Sequence, residues 1–220
     1  EFDPEILKRY VNFMNNPDEH TAVEQFGKGD KYFGICTLMS TLPGLPMFGH
    51  GQIEGFTEKY GMEYHRAYWD EQPDGYLIER HKYEIFPLLR KRYLFAEAAN
   101  FLLYDVYTSD GNVNEDVFAY SNQAGPETSL VVYHNKFANV QGWIRTSAAY
   151  SVKTGSGERM LVQKRLGEGL GLVDDDQTYT IFKDLVSGLE YIRNNHELYE
   201  KGLLVELEAY KARVYIDFRQ

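Results

Sequence analysis

The sequence predicts an α/β unit of the kind that builds barrels, followed by an antiparallel β domain, in a chain of 220 residues. Two short apolar runs, residues 11–14 and 45–48, end abruptly in small and polar residues, as buried barrel strands do where they open into an active site. A helical run over residues 31–40 lies between them, so the strands should be parallel and buried on both faces. From Phe101 onward, alternating β-branched and aromatic residues indicate antiparallel strands.

The other elements of the first hundred residues can be assigned in order. Residues 3–10 begin with Asp-Pro-Glu, which caps and starts a helix. A long glycine-rich loop, residues 49–75, follows the second strand, and its length and aromatic content predict an ordered, functional segment. Residues 76–100 are expected to be helical, with Pro87 either kinking the helix or starting a second one.

The remainder of the chain predicts one small antiparallel domain with an insertion. Runs rich in valine, tyrosine and phenylalanine are separated by clusters of glycine, asparagine, aspartate and proline, which are typical of turns. Residues 181–201 show leucine and tyrosine at helical spacing, so we expect an α-helical insert there.

The composition is that of a folded protein with a sizeable core, 43% hydrophobic and 25% charged. A net charge of −10 argues against a nucleic-acid partner and fits a neutral substrate and a soluble protein. No apolar run has the length of a membrane span. The single cysteine, Cys36, excludes an intramolecular disulfide, should be buried, and favours the cytoplasm without deciding the compartment.

Aromatic residues make up 15% of the chain. We attribute most of them to core and sheet packing. The alternative is a sugar-stacking surface, because pyranose faces present C–H groups to aromatic rings. Trp69, in the long loop, is expected to pack against the adjacent helix, with stacking on a sugar as the alternative.

The ends of the two predicted strands resemble motifs of a known enzyme family. Residues 13–18, Phe-Met-Asn-Asn-Pro-Asp, are similar to the Phe-x-x-Asn-His-Asp pattern that ends the seventh barrel strand in the alpha-amylase family of glycoside hydrolases. Residues 44–48, Gly-Leu-Pro-Met-Phe, resemble the eighth strand of that family. Residues 51–55 resemble the loop after it, with the glutamate displaced by one place. The order of strands, helices and β domain also agrees with the family.

This resemblance implies a fold and a domain division. Residues 1–103 would be a C-terminal fragment of a (β/α)8 TIM barrel, carrying strands seven and eight with their helices. Residues 104–220 would be an antiparallel β-sandwich with the helical insert. Two strands cannot close a barrel, so an upstream barrel portion of the same protein or an oligomer should cover apolar side chains left exposed on them. These side chains are Val11, Phe13, Leu45, Met47 and Phe48.

The resemblance also implies site residues. Asp18 takes the catalytic role of the carboxylate that binds the 2- and 3-hydroxyls of the sugar at the cleavage point and stabilises the transition state. Asn16, His50 and Gln52 are the expected substrate-binding residues, and neither a metal nor a cofactor is expected. The alternative for Asp18 is that it only caps a helix after the strand.

Pro17 departs from the family pattern. It stands where the family has a histidine that contacts the same sugar, and a proline cannot donate that hydrogen bond. His20 or His50 would have to supply it. Maltosyltransferases that use maltose 1-phosphate, a branch of the same family, also have proline at this position.

The function implied is that of part of a retaining alpha-amylase-type glycoside hydrolase acting on α-glucosidic linkages in carbohydrate metabolism. In the family the nucleophile and the acid/base lie on upstream strands, so these 220 residues alone should be inactive. The expected ligand is an α-glucan or oligosaccharide, with no nucleic acid and no membrane as partner. The alternatives are a maltosyltransferase-type enzyme, a non-catalytic carbohydrate-binding or scaffold module, and an unrelated α+β domain with chance motif matches.

Overall fold

The computed structural model describes residues 4–59, 65–153, 155 and 157–220, and in them a helical layer packs on one face of a large antiparallel sheet. The helices are α1 (Ala22–Phe26), α2 (Asp30–Thr41), α3 (Gly75–Arg80), α4 (Phe86–Arg90), α5 (Arg92–Phe95), α6 (Leu166–Gly169) and α7 (Asn195–Glu200). The strands are β1 (Val11–Phe13), β2 (Leu45–Met47), β3 (Leu102–Tyr107), β4 (Val117–Ala124), β5 (Glu127–His134), β6 (Val140–Ser147), β7 (Tyr150–Lys153), β8 (Arg159–Val162), β9 (Tyr179–Asp184), β10 (Glu190–Asn194), β11 (Leu203–Leu207) and β12 (Ala212–Arg219).

The parallel pair that the sequence predicts is formed by β1 and β2. Val11 pairs with Leu45 and Phe13 with Met47, and α2 provides the crossover between the strands. Within the described ranges no third strand joins this pair. The two expected strands and the helix between them are present as one β–α–β unit, but the described residues do not confirm that it is a fragment of a TIM barrel, because two strands cannot close one.

The exposed apolar side chains expected on this pair are present. The exposed fractions are 46% for Val11, 40% for Phe13, 63% for Leu45 and 37% for Met47, while Phe48 is half-buried. The expectation that both strand faces are buried is wrong here, because the described residues supply no cover for this face.

The helical stretch after the long loop is broken around Pro87, as expected. Asp74 caps α3 by accepting a hydrogen bond from the backbone N–H of Leu77 at 3.1 Å. A widened π-helical segment, His81–Ile85, joins α3 to α4. Because Pro87 has no N–H, the regular bond to the carbonyl four residues earlier cannot form, and the wider turn absorbs the break. The N-terminal helix is a 3-10 helix over Pro4–Arg9, and Asp3 lies outside the described residues.

The β domain has a main sheet of eight strands in the order β10-β9-β12-β5-β4-β3-β6-β11, and β7 pairs with β8 in a separate two-stranded hairpin. The prediction of a β-sandwich with two separate sheets is wrong. Strand β3 pairs with both β4 and β6, and β12 pairs with both β5 and β9, so strands expected in two layers are hydrogen-bonded into one sheet. The register of β12 shifts after Ile216, where Asp217 adopts a left-handed φ of 57°. Such bulges bend and twist a strand.

The predicted helical insert over residues 181–201 is also wrong. These residues form the end of β9, a turn and β10, and only then the short helix α7. Thr180, Phe182 and Asp184 are buried while the residues between them are more exposed, which is the two-residue period of a strand. Gly188, at a φ of +72°, completes the hairpin turn.

The sheet separates two hydrophobic clusters. Tyr120, Val131 and Val214 face the helical layer, whereas their neighbours in the strands face a second cluster that includes α6 and α7. Cys36 lies in the first cluster, fully buried as predicted, and burial raises the pKa of its thiol. No helix in the described parts of the chain combines the length and the apolar character needed to cross a membrane.

Candidate functional site

The two predicted motifs meet at the carboxyl ends of β1 and β2. The side chain of Asn15, two residues after β1, lies against Gly49, two residues after β2, so closely that a Cβ on Gly49 would sit 2.5 Å from Asn15 Nδ2. Asn15 is 7% exposed, and its Oδ1 meets no hydrogen-bond donor among the described residues. A buried unpaired acceptor is costly, typically about 1–3 kcal/mol, and marks a position to be explained by a ligand or by function.

Asp18 lies on a turn that Asn16 shapes. The backbone N–H of Asp18 donates to Asn16 Oδ1 at 2.8 Å, and the N–H of Glu19 donates to the Asn16 carbonyl at 3.2 Å. The Asp18 side chain is exposed, with Pro17 beside it. The ammonium of Lys59 donates to the Asp18 carbonyl at 2.8 Å, which ties this turn to the loop after β2. The arrangement presents a carboxylate to solvent at the mouth of the strand pair.

The predicted binding residues on the second motif have different environments. His50 is exposed in the loop after β2. Gln52 is 3% exposed, and its side chain accepts from the backbone N–H of Gly49 at 3.0 Å and donates to Met14 Sδ at 3.2 Å. Gln52 therefore holds this loop against the end of β1. That Asn16, His50 and Gln52 bind substrate stays a prediction.

Behind Gln52 lies a buried polar chain. The Tyr32 hydroxyl is 2.9 Å from the Gln52 carbonyl and 3.1 Å from His81 Nε2. His81 Nδ1 donates to the Leu77 carbonyl at 2.9 Å. Both rings are fully buried, and burial lowers the pKa of His81 and raises that of Tyr32. This chain links the loop after β2 to the π-helical segment and keeps the loop in place.

Two carboxylates close the long loop. Glu58, 8% exposed, accepts from the backbone N–H groups of Tyr68 at 2.7 Å and Trp69 at 3.1 Å. In return Glu71 accepts from the N–H groups of Thr57 at 2.8 Å and Glu58 at 2.9 Å. Although burial opposes the charge, the hydrogen bonds from Thr57 and the backbone lower the pKa of Glu71. These contacts join the two described parts of the loop, residues 49–59 and 65–75, while the residues between them lie outside the described ranges, so the predicted order of the whole segment stays a prediction.

A large groove lies away from this site. It has a volume of about 910 Å³ and runs between the helical layer and the β domain, and none of Asp18, Asn16, His50 and Gln52 lines it. Some of its charged side chains pair with one another: Arg80 binds Asp30 at 3.0 Å, and Lys211 binds Asp30 at 2.8 Å. Against the effect of burial, these hydrogen bonds lower the pKa of Asp30. We interpret the groove as the seam between the two parts of the chain.

Sequence reasoning missed Asn15, Glu58 and Lys59. Asn15 occupies a position of the family pattern where any residue is allowed, so the motif does not predict a role for it. Glu58 and Lys59 act through backbone groups that are distant in sequence, and no local pattern distinguishes them from other loop charges.

Comparison with known proteins identifies the class of fold. No protein-family model matches the chain, and no curated protein matches it in sequence. The solved structure of an alpha-amylase from Geobacillus thermoleovorans with acarbose is similar, with a TM-score of 0.58 at 12% identity, over 97% of this chain and 39% of that one. The maltogenic alpha-amylase AmyB from Thermotoga neapolitana has a TM-score of 0.58 at 11% identity, over 96% of this chain and 42% of that one.

A third solved structure, of a glucanotransferase, is similar as well. The cyclomaltodextrin glucanotransferase CldA has a TM-score of 0.53 at 18% identity, over 98% of this chain and 38% of that one. The chain therefore has the fold of part of an alpha-amylase family protein. It spans less than half the length of the proteins it resembles.

Proposed function

We propose that this chain is part of a retaining alpha-amylase-type glycoside hydrolase that acts on α-glucosidic linkages. Residues 1–103 complete a catalytic barrel and residues 104–220 form the β domain after it. One observation carries the proposal: the exposed apolar face of β1 and β2 adjoins the turn that presents Asp18. The apolar face requires cover by further strands, and the turn places a carboxylate at the end where such a barrel binds its substrate.

In this function Asp18 acts on the sugar hydroxyls. Its two oxygens accept hydrogen bonds from neighbouring hydroxyls of the glucosyl unit that is cleaved. These bonds strengthen as oxocarbenium character develops and the hydroxyl protons become more acidic, so Asp18 stabilises the transition state more than the ground state. Asn16 and His50 contact the sugar beside it, and Gln52 supports them by holding the loop.

The chain by itself should not cleave glucans. Retention needs two carboxyl groups about 5–5.5 Å apart across the scissile bond. The carboxylates of Glu58 and Glu71 are engaged with backbone N–H groups and cannot serve. The resemblance to the alpha-amylase family implies that the nucleophile and the acid/base come from a preceding part of the polypeptide.

The test is reconstitution with the segment that precedes these residues in the natural coding sequence. We expect release of reducing ends from maltoheptaose by the combined chains, none by this chain alone, and a loss of about 100-fold or more in kcat for Asp18→Asn. The matched control is Asp176→Asn, an exposed aspartate of the β domain, which should leave turnover unchanged. A natural polypeptide without an upstream segment, or turnover insensitive to Asp18→Asn, overturns the proposal.

A second candidate is the maltosyltransferase-type enzyme, which the exposed Pro17 favours. The same reconstituted protein distinguishes the two functions. Supplied with maltose 1-phosphate and a maltooligosaccharide, a maltosyltransferase releases phosphate and lengthens the acceptor, whereas a hydrolase shortens it. A protein that binds oligosaccharide and does neither is a carbohydrate-binding module.

A further inference from the structure

A pair of large aromatic rings stands exposed on the loop after β2. Trp69 is 58% exposed and Tyr68 is 67% exposed. The expected packing of Trp69 against the adjacent helix is therefore wrong in this chain. Exposed rings of this size leave apolar area in water, which is unfavourable unless a ligand covers it.

The turn that carries the rings is held from inside. The buried carboxylate of Glu58 accepts the backbone N–H groups of both Tyr68 and Trp69. Burial of a carboxylate is costly unless it is fully hydrogen-bonded. The two hydrogen bonds to Glu58 therefore stabilise the backbone conformation of this turn. Glu71 closes the same loop from the other side through the N–H groups of Thr57 and Glu58. The aromatic rings thus project from a preorganised backbone, which lowers the entropic cost of binding.

The turn is also joined to the candidate site. Lys59, the residue after Glu58, donates to the carbonyl of Asp18 at 2.8 Å. Two adjacent residues of one loop therefore make both connections. Glu58 binds the backbone of Tyr68 and Trp69, a contact that we call the clamp, and Lys59 binds the Asp18 turn. A ligand that occupies the Asp18 end of the strand pair can extend onto this loop.

We propose that Trp69, with Tyr68, is a stacking platform for a glucosyl unit of an α-glucan whose neighbouring units lie at Asp18. The C–H face of a pyranose packs on the indole, and the sugar hydroxyls stay hydrated at the ring edge. A net charge of −10 disfavours an anionic ligand and is compatible with a neutral one. The identity of the ligand rests on the proposed function, whereas the platform itself rests on the geometry of the loop.

The chain offers a direct optical test, because it contains two tryptophans, Trp69 and Trp143. In a Trp143→Phe background, emission from Trp69 should shift and saturate as maltoheptaose is added. In wild type, Trp69→Ala should weaken maltoheptaose binding, measured calorimetrically, by about tenfold or more. Glu58→Ala, which keeps the ring but removes its clamp, should weaken binding as well. Circular dichroism verifies that each variant is folded.

The matched control is Phe137→Ala, which removes a ring that is 83% exposed on the β domain and should leave the affinity unchanged. Absence of saturable maltoheptaose binding by the folded chain overturns the inference, as does binding that Trp69→Ala does not weaken. The proposed function is judged separately, by turnover in the reconstituted protein. Turnover without Trp69-dependent binding refutes the platform alone, and Trp69-dependent binding without turnover refutes the catalytic function alone.

Discussion

The guanidinium of Arg92 donates a hydrogen bond to the carbonyl of Gly44, the residue that precedes β2. It also donates to the carbonyls of Ser40 at 2.9 Å and Leu42 at 2.8 Å, where α2 ends. One side chain from α5 therefore holds the turn that leads from α2 into β2. A cation at the C-terminus of a helix also interacts favourably with the helix dipole.

Arg92→Ala should lower the free energy of unfolding by about 2 kcal/mol or more, because three carbonyls lose a charged donor. Urea denaturation followed by circular dichroism measures the change. Arg90→Ala, at an exposed position two residues earlier, should cost less than about 0.5 kcal/mol. Equal losses in the two variants would contradict this account of the turn.

Gly44→Ala should destabilise the same turn. Gly44 has a φ of +105°, and a Cβ there would lie 2.4 Å from the Tyr10 carbonyl oxygen and 2.9 Å from that of Leu7. Both the strain and the clash with backbone atoms act together, so we expect a loss of about 2 kcal/mol or more. Gly75→Ala is the control, since no atom lies within 4 Å of its Cβ position and alanine is the better helix former. A neutral Gly44→Ala would contradict the prediction.

His81 should make stability depend on pH. Burial lowers its pKa below the ordinary 6.5, so below that pH the unfolded chain takes up a proton that the folded chain resists. The contribution of neutral His81 to the free energy of unfolding is therefore complete above pH 6.5. It is lost as the pH falls from 6.5 towards the lowered pKa that His81 has in the folded state. Unfolding free energies between pH 8 and pH 5 should fall more steeply for wild type than for His81→Gln. Equal slopes for wild type and His81→Gln would contradict this assignment.

The exposed face of β1 and β2 should drive association. Phe13→Lys combined with Leu45→Lys places charges on this apolar face, and self-association of the chain should weaken by about tenfold or more. Sedimentation velocity over a range of concentrations measures it. The control is the pair Leu189→Lys and Ile192→Lys, at side chains 58% and 57% exposed on the β domain. If both double variants associate alike, the strand pair is not the docking face.

Much of the local structure was predictable from short-range patterns. The helix α2 and the parallel pair β1–β2 follow from apolar periodicity and glycine placement within a few residues. The wrong prediction of a helical insert concerns a segment whose structure depends on contacts with distant strands. The hairpin of β9 and β10 carries leucines at helical spacing, and only its pairing with β12 selects the strand conformation.

The candidate site divides in the same way. The Asp18 turn was predictable, because asparagine, proline and aspartate after a strand favour a turn stabilised by a side chain. That Gln52 is buried and Trp69 exposed was not predictable. The position of Gln52 depends on its contact with Met14, and the position of Trp69 depends on its contact with Glu58, and neither partner is near in sequence.

The sequence by itself determined where the strands, the helix between them and the polar strand ends lie, since periodicity and turn chemistry act over a few residues. Only the tertiary structure decided that eight strands of the β domain join in one sheet, that Asn15 is buried with an oxygen that meets no donor among the described residues, and that Glu58 binds the backbone of an exposed Trp69. The physical reason is that strand pairing, burial and the satisfaction of buried polar groups are properties of segments that meet in space.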